Sequence, residues 1–161
     1  MVEKAKEMNT NTSKPQIKYG GFWVRVLAYM IDSFVMGLPL SIVYGVMSVI
    51  VTTVGTQNEE LLVPLFLVSY ITYMFLAVIV SLLYFGLMES SKNQATLGKM
   101  ALGLKVVDYK GQRISFKRAV ARDLSKYVSI MTMYVGYFMI GFTDKKQGLH
   151  DMIAKTYVVK K

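Results

Sequence analysis

Arg25 and Asp32 are the side chains whose types and spacing most directly suggest chemistry. Seven helical residues separate them, nearly two turns, so they share a face about 10.5 Å apart along the axis. An arginine stem covers much of that gap, and a bridging water covers the rest. Asp32 directly precedes a long uncharged run. If the helix enters hydrocarbon near Trp23, the carboxylate lies inside the bilayer, where an unpaired charge costs roughly 2.5–3.5 kcal/mol. It would then be protonated, paired with Arg25, or bound to a cation such as Na+ or H+. If the boundary falls at Ser33 instead, the same residues form an interfacial, structural ion pair. Both readings stay open at this level.

The remaining polar candidates lie further along. Asp151 closes the sequence Gln147-Gly148-Leu149-His150-Asp151 and reads as the cap of a short helix. His150 is the only histidine, and a lone histidine is more often a packing residue than a metal ligand. Glu89 marks the end of an apolar run. Lys117, Arg118 and Arg122 fall on a basic helical stretch and are candidates for anionic lipid or a protein partner. There is no Cys, which removes disulfides, thiolate metal sites and cysteine nucleophiles. No zinc-helix motif, nucleophile elbow or phosphate loop is present. The expectation is a protein that is not an enzyme, with no catalytic residues, no metal and no cofactor.

Two long apolar elements must position these groups. Ser33 to Asn58 and Leu61 to Met88 contain no charged residue, 26 and 28 positions respectively. About 20 apolar helical residues cross a bilayer's roughly 30 Å hydrocarbon core. Neither run alternates as a barrel strand would. Two transmembrane helices follow, at about 24–54 and 61–88. A composition of 53% hydrophobic and 18% charged residues agrees, since soluble domains carry about 25% charged residues. Residues 1–18 form a polar tail, and the first apolar run is too long for a cleaved signal core of about 7–15 residues.

The net charge of +9 invites a nucleic-acid reading. Its placement argues against one. The linker from Thr56 to Glu60 has no Lys or Arg, while the N-terminal flank through Arg25 has five, Ser90 to Lys126 nine and the tail from Asp144 five. Basic residues stay on the cytoplasmic side during insertion. The N-terminus and the segment 89–123 are therefore expected in the cytoplasm, and the linker outside.

A third apolar segment, about 124–143, is short for a single crossing. It either spans with Lys126 snorkelling or re-enters, broken near Gly136. Re-entry leaves the basic tail, 144–161, cytoplasmic, and the charge distribution favours it. Between the spans and this segment, Thr96 to Gly103 reads as a short amphipathic turn. Leu104 to Val107 reads as a strand, Asp108 to Gly111 as a turn, and Arg113 to Phe116 as the return strand. Thr156 to Val159 is a further strand candidate that would pair with this hairpin. Tyr19, Trp23 and Tyr84 suit interfacial belts, Pro39 a kinked first span, and Pro64 the first turn of the second.

Several of these stretches together resemble a known family. They are Gly21-Phe22-Trp23-Val24-Arg25-Val26-Leu27-Ala28-Tyr29-Met30-Ile31-Asp32, then Thr96-Leu97-Gly98-Lys99, Gly103 to Asp108, Gly148-Leu149-His150-Asp151 and Thr156 to Val159. In order, over about residues 19–160, they are similar to the RDD family of bacterial integral membrane proteins, named for one Arg and two Asp. The resemblance places Arg25, Asp32 and Asp151 at those three positions. It implies a small multi-pass protein of the bacterial inner or plasma membrane. Some members have been connected with sodium/proton exchange.

The fold expectation is an α-helical membrane protein with two long transmembrane helices, a third membrane-embedded (re-entrant or spanning) segment and a small cytoplasmic α+β appendage. Two functions compete. One is a cation or proton transport protein, or a subunit of one, using Asp32. That needs an oligomer, for which Gly37, Ser41 and Gly45 offer a small-residue contact. The other is a non-catalytic scaffold or accessory protein, binding a membrane partner or anionic lipid.

Overall fold

The computed structural model describes residues 17–133 and 135–161. Except for its last two positions, the polar tail expected at 1–18 lies outside the described residues. The protein is mostly helical, with two long apolar helices able to span a membrane and a small two-stranded sheet.

Helix α1 (Phe22–Gly55) runs unbroken through Pro39, and helix α2 (Glu59–Glu89) returns beside it. At 1.5 Å per residue they are about 51 and 46 Å long, well beyond a hydrocarbon core of roughly 30 Å. A crossing helix of either length would project past the hydrocarbon, so charges near one end need not enter it. Only 6% of the most apolar window of either helix is buried. Phe34, Leu38, Val63 and Phe75 stand more than 60% exposed, as lipid-facing side chains do. The linker turn is tight, with the Asn58 N–H donating to Gly55 O at 3.0 Å. Glu59 and Glu60 lie in the first turn of α2, where negative charge suits the helix dipole. Because α2 starts two residues earlier than the apolar run, Pro64 falls in its second turn rather than its first.

Beyond α2 the chain forms helix α3 (Leu97–Ala101), strand β1 (Leu104–Asp108), helix α4 (Phe116–Met131), helix α5 (Val135–Phe142), helix α6 (Leu149–Ile153) and strand β2 (Thr156–Lys160). β1 pairs antiparallel with β2, Val106 opposite Val158. The expected turn forms: Asp108 Oδ1 accepts from Lys110 and Gln112 N–H, and Gly111 takes a positive φ of 78°. The expected return strand at Arg113–Phe116 does not form. Ser115 caps α4 instead, its hydroxyl accepting from Arg118 N–H. The edges of β1 are already taken by β2 and by Gln94, whose carbonyl accepts from Val106 N–H at 2.7 Å.

The third apolar segment is broken, at Thr132–Met133 rather than near Gly136. Met133 takes a positive φ of 51° there. α4 runs antiparallel to the end of α2: Arg122 meets Glu89, and one turn on Lys126 sits over the Phe85 ring at 3.7 Å. After the break α5 packs back on α4. Gly136 permits that, since a Cβ there would lie 2.6 Å from Ser129 Oγ. The tail then ends in β2, whose other edge holds the N-terminal flank through Gly20 N–H to Val158 O, 2.9 Å. Both chain flanks and the appendage thus gather at one end of the α1–α2 hairpin.

The apolar core is small and sits at that end: Ala28, Leu104, Val106, Ile114, Ala119 and Val158. Tyr19 packs edge-on against Tyr157, 5.5 Å between centroids. α3 is pressed against α1 so closely that a Cβ on Gly98 would come within 2.1 Å of Ala28 O. Replacing Gly98 with Ala should therefore cost at least the 1–3 kcal/mol (about) of an overpacked core. The Gly45→Ala variant, in open space, should leave the melting temperature in detergent unchanged. Equal melting of the two variants would contradict the close docking of α3.

Candidate functional site

Two buried polar groups occupy the end of the hairpin. The first surrounds Asp32, which is 1% exposed. Its Oδ1 accepts from the Tyr84 hydroxyl at 2.7 Å and from Gly98 N–H at 2.7 Å. Its Oδ2 accepts from the Thr96 hydroxyl at 2.6 Å. Thr96 also caps α3, so its oxygen accepts from Lys99 N–H while its proton goes to Asp32. One carboxylate thereby pins α2 and α3 to α1. Burial without such donors would be costly, and Asp32 has them on both oxygens.

The second group is a chain of alternating charges across five elements. Arg25 on α1 donates to Asp151 on α6, to Lys146 O, and through Nε to Gly20 O at 2.8 Å. Arg122 on α4 donates through Nε to Asp151 Oδ1 at 2.8 Å and through NH1 to both Glu89 oxygens at 2.7 Å. Lys99 on α3 completes the chain by pairing with Glu89. Glu89, Arg122 and Asp151 are each 2% exposed or less.

Burial disfavours charge on Arg122, but Glu89 and Asp151 outweigh it and raise its pKa above the ordinary value. Burial also works against the Asp151 carboxylate, yet Arg122 and Arg25 hold it below the usual range. Burial pushes Lys99 down to about 8 even with Glu89 beside it. His150 is driven down to about 3 by burial, against the pull of Asp151. Its Nδ1 is buried without a hydrogen-bond partner.

A cavity of about 330 Å³ opens beside these groups. Arg25, Lys99, Arg122 and Lys126 form its charged wall, and Val26, Phe85 and Ile140 belong to its apolar one. Tyr29 and Phe138, each 57% exposed, also line it, so it has an open rim between α1 and α5.

Arg25 and Asp32 do not pair with each other. Arg25 reaches Asp151, 126 residues away, and Asp32 takes neutral donors. Asp151 caps α6 by accepting from Gly148 N–H at 3.3 Å, and its main partners are the two arginines. Lys117 and Arg118 lie on the surface, Arg118 3.6 Å from Asp108. Arg122 points inward and is not part of that surface. Glu89, expected to mark an interface, and Tyr84, expected in an aromatic belt, are site residues. Lys99 and Lys126 were not site candidates from the sequence, where Lys126 was read only as a snorkelling residue; for Lys99, a charge within the Thr96–Gly103 turn was the available signal. Among the described residues, no group of three or more His, Asp or Glu could hold a metal ion.

The model of the RDD family matches residues 19–155. The uncharacterized protein YxaI of Bacillus subtilis (strain 168) is 39% identical over 150 residues, covering 89% of this chain and 99% of that protein. The uncharacterized membrane protein YteJ of the same organism is 33% identical over 153 residues, covering 88% and 80%. YckC, also uncharacterized, is 25% identical over 146 residues, covering 88% and 84%. No solved structure matches the chain.

Two outcomes test this site. Replacing Arg122 with Met strands Glu89 and Asp151 and should cost about 3–5 kcal/mol, whereas Arg118→Met, at a 42% exposed pair, should cost under about 1 kcal/mol. Thermal melts in detergent compare them, and a mild Arg122 variant would contradict the network. The second concerns His150. As pH falls through 6.5 the unfolded chain binds its proton, while the folded chain waits until about 3. Stability is thus full above 6.5 and falls below it, by up to ~1.4 kcal/mol per pH unit. Melting should drop between pH 7 and 5, and less so in His150→Gln; parallel profiles would exclude the buried neutral imidazole.

Proposed function

The chain belongs to the RDD family, and from that premise we propose that it is a non-catalytic accessory protein of the bacterial cell membrane that associates with anionic lipid. The charge distribution sets its orientation: N-terminus, appendage and tail in the cytoplasm, and the Thr56–Glu60 linker outside. α4 and α5 form the re-entrant segment, and Leu124, Val128 and Met131 give it an exposed apolar stripe for lipid. Lys117 and Arg118 lie about one turn beyond Arg122 on the same helix, on its exposed surface.

One observation carries the choice over cation or proton transport. The carboxylates of Asp32, Glu89 and Asp151 already receive protein donors on both oxygens. A cation entering would have to displace them, whereas Lys117 and Arg118 are exposed, Arg118 in a 3.6 Å solvent-facing pair with Asp108, and so can meet anionic headgroups.

The test uses the full chain in proteoliposomes of mixed phosphatidylglycerol and phosphatidylcholine. Each basic residue near an anionic leaflet contributes about 1 kcal/mol. Lys117→Ser with Arg118→Ser should therefore markedly reduce the phosphatidylglycerol enriched around the protein, counted after polymer extraction. The same liposomes should show no Na+ or H+ flux that Asp32→Asn abolishes. Such a flux, or unchanged enrichment in the double variant, would overturn the reading.

A further inference from the structure

We propose that the cavity between α1, α4 and α5 is a binding site for a single anionic lipid, holding its phosphate against Lys99 and Lys126. This rests on the lipid-associating reading above and names a separate site for it.

The donors are arranged for an anion. Each ammonium carries three N–H groups. Lys99 gives one to Glu89 and Lys126 one to Asp123, which leaves two on each. Both ammoniums sit at the same Phe85 ring, 5.9 and 3.7 Å from its centroid, and both residues line the cavity. Their side chains are only 9% and 14% exposed, so bulk water satisfies those N–H groups poorly. His150, another lining residue, holds a buried nitrogen without a partner. Unfilled buried polar atoms of this kind mark a missing ligand or water.

The arginines on this wall are already committed. Arg25 and Arg122 spend their guanidinium N–H groups on Asp151, Glu89 and two carbonyls. They supply positive potential, and the lysines supply the open donors. Asp32 is the only acid in the lining, and it is satisfied by its own three donors.

The rest of the cavity is apolar, which favours a lipid over a free ion. Val26, Phe85 and Ile140 line it, with Tyr29 and Phe138 at the rim. That rim lies between α1 and α5, at the membrane end of the appendage. A volume of about 330 Å³ falls at the lower end of ligand pockets, about 300–1,000 Å³. It suits a headgroup with the start of one chain, the remainder lying in the bilayer.

The experiment is a thermal melt of the full chain in a neutral detergent, titrated separately with phosphatidylglycerol, phosphatidylcholine and inorganic phosphate. Phosphatidylglycerol should raise the melting temperature saturably, and in high salt as well, because a buried site is screened less than a surface. Phosphatidylcholine should not, and phosphate alone should reproduce little of the shift. Lys126→Met removes one open ammonium, and Val26→Phe fills the apolar part. Each should weaken the apparent phosphatidylglycerol affinity by about tenfold or more; reading the lipid-induced shift keeps this independent of each variant's own stability. Lys117→Ser with Arg118→Ser should leave the shift intact. If that surface variant abolishes the shift while Val26→Phe keeps it, lipid acts at the surface and the cavity site is overturned, although the accessory reading stands. An equal response to phosphatidylcholine, or a full response to phosphate, also overturns it.

Discussion

Arg122 sits between two carboxylates that water barely reaches. Its guanidinium serves Glu89 at the end of α2 and Asp151 in α6 at once. Neither acid could be buried unpaired without a cost of several kcal/mol. The charge of one α4 residue therefore fixes where α2 ends, how far α4 descends beside it, and where the tail returns. Arg25 ties the same Asp151 to α1, so four elements share one electrostatic knot.

That knot compensates for a sparse apolar core. The long helices leave most of their hydrophobic residues exposed, and six buried side chains, Ala28 of α1 among them, form the core cluster. A two-stranded sheet is marginal by itself. Here it is held by the N-terminal flank on one edge and by Gln94 on the other. Asp32 contributes a second clamp, using neutral donors from α2 and α3 instead of an opposite charge. The difference has a chemical consequence: a carboxylate filled by a phenol, a hydroxyl and an amide is a structural acceptor, with little left for a cation.

The surface and the interior then divide the basic residues between them. Lys117 and Arg118 stay outside, Arg122 turns in, and Lys126 lies one turn deeper at the Phe85 ring. Helical periodicity produces this division, since positions 118, 122 and 126 step along one helix while their neighbourhoods change from solvent to buried acid to aromatic cavity. Charge density along the chain does not reveal it.

The membrane hairpin was legible in the sequence because length and lack of charge are local properties, and a bilayer imposes a fixed thickness. The broken third segment was legible in outline, from its shortness and from the basic tail after it, although the break falls at Thr132–Met133 and not near Gly136. That Arg25 and Asp32 need partners was also readable, but which partners was not. Arg25 and Asp32 are seven residues apart on one helix and look like a pair. Their true partners, Asp151 and the Tyr84–Thr96–Gly98 set, lie 52 to 126 residues away. Only the return of α4, α5 and the tail to the same end of the hairpin brings them together. Sequence alone determined which segments prefer lipid and which charges need company. Tertiary structure decided which charges keep company, because pairing depends on distance in space, and the cavity beside Lys99 and Lys126 exists only once six helices have closed around it.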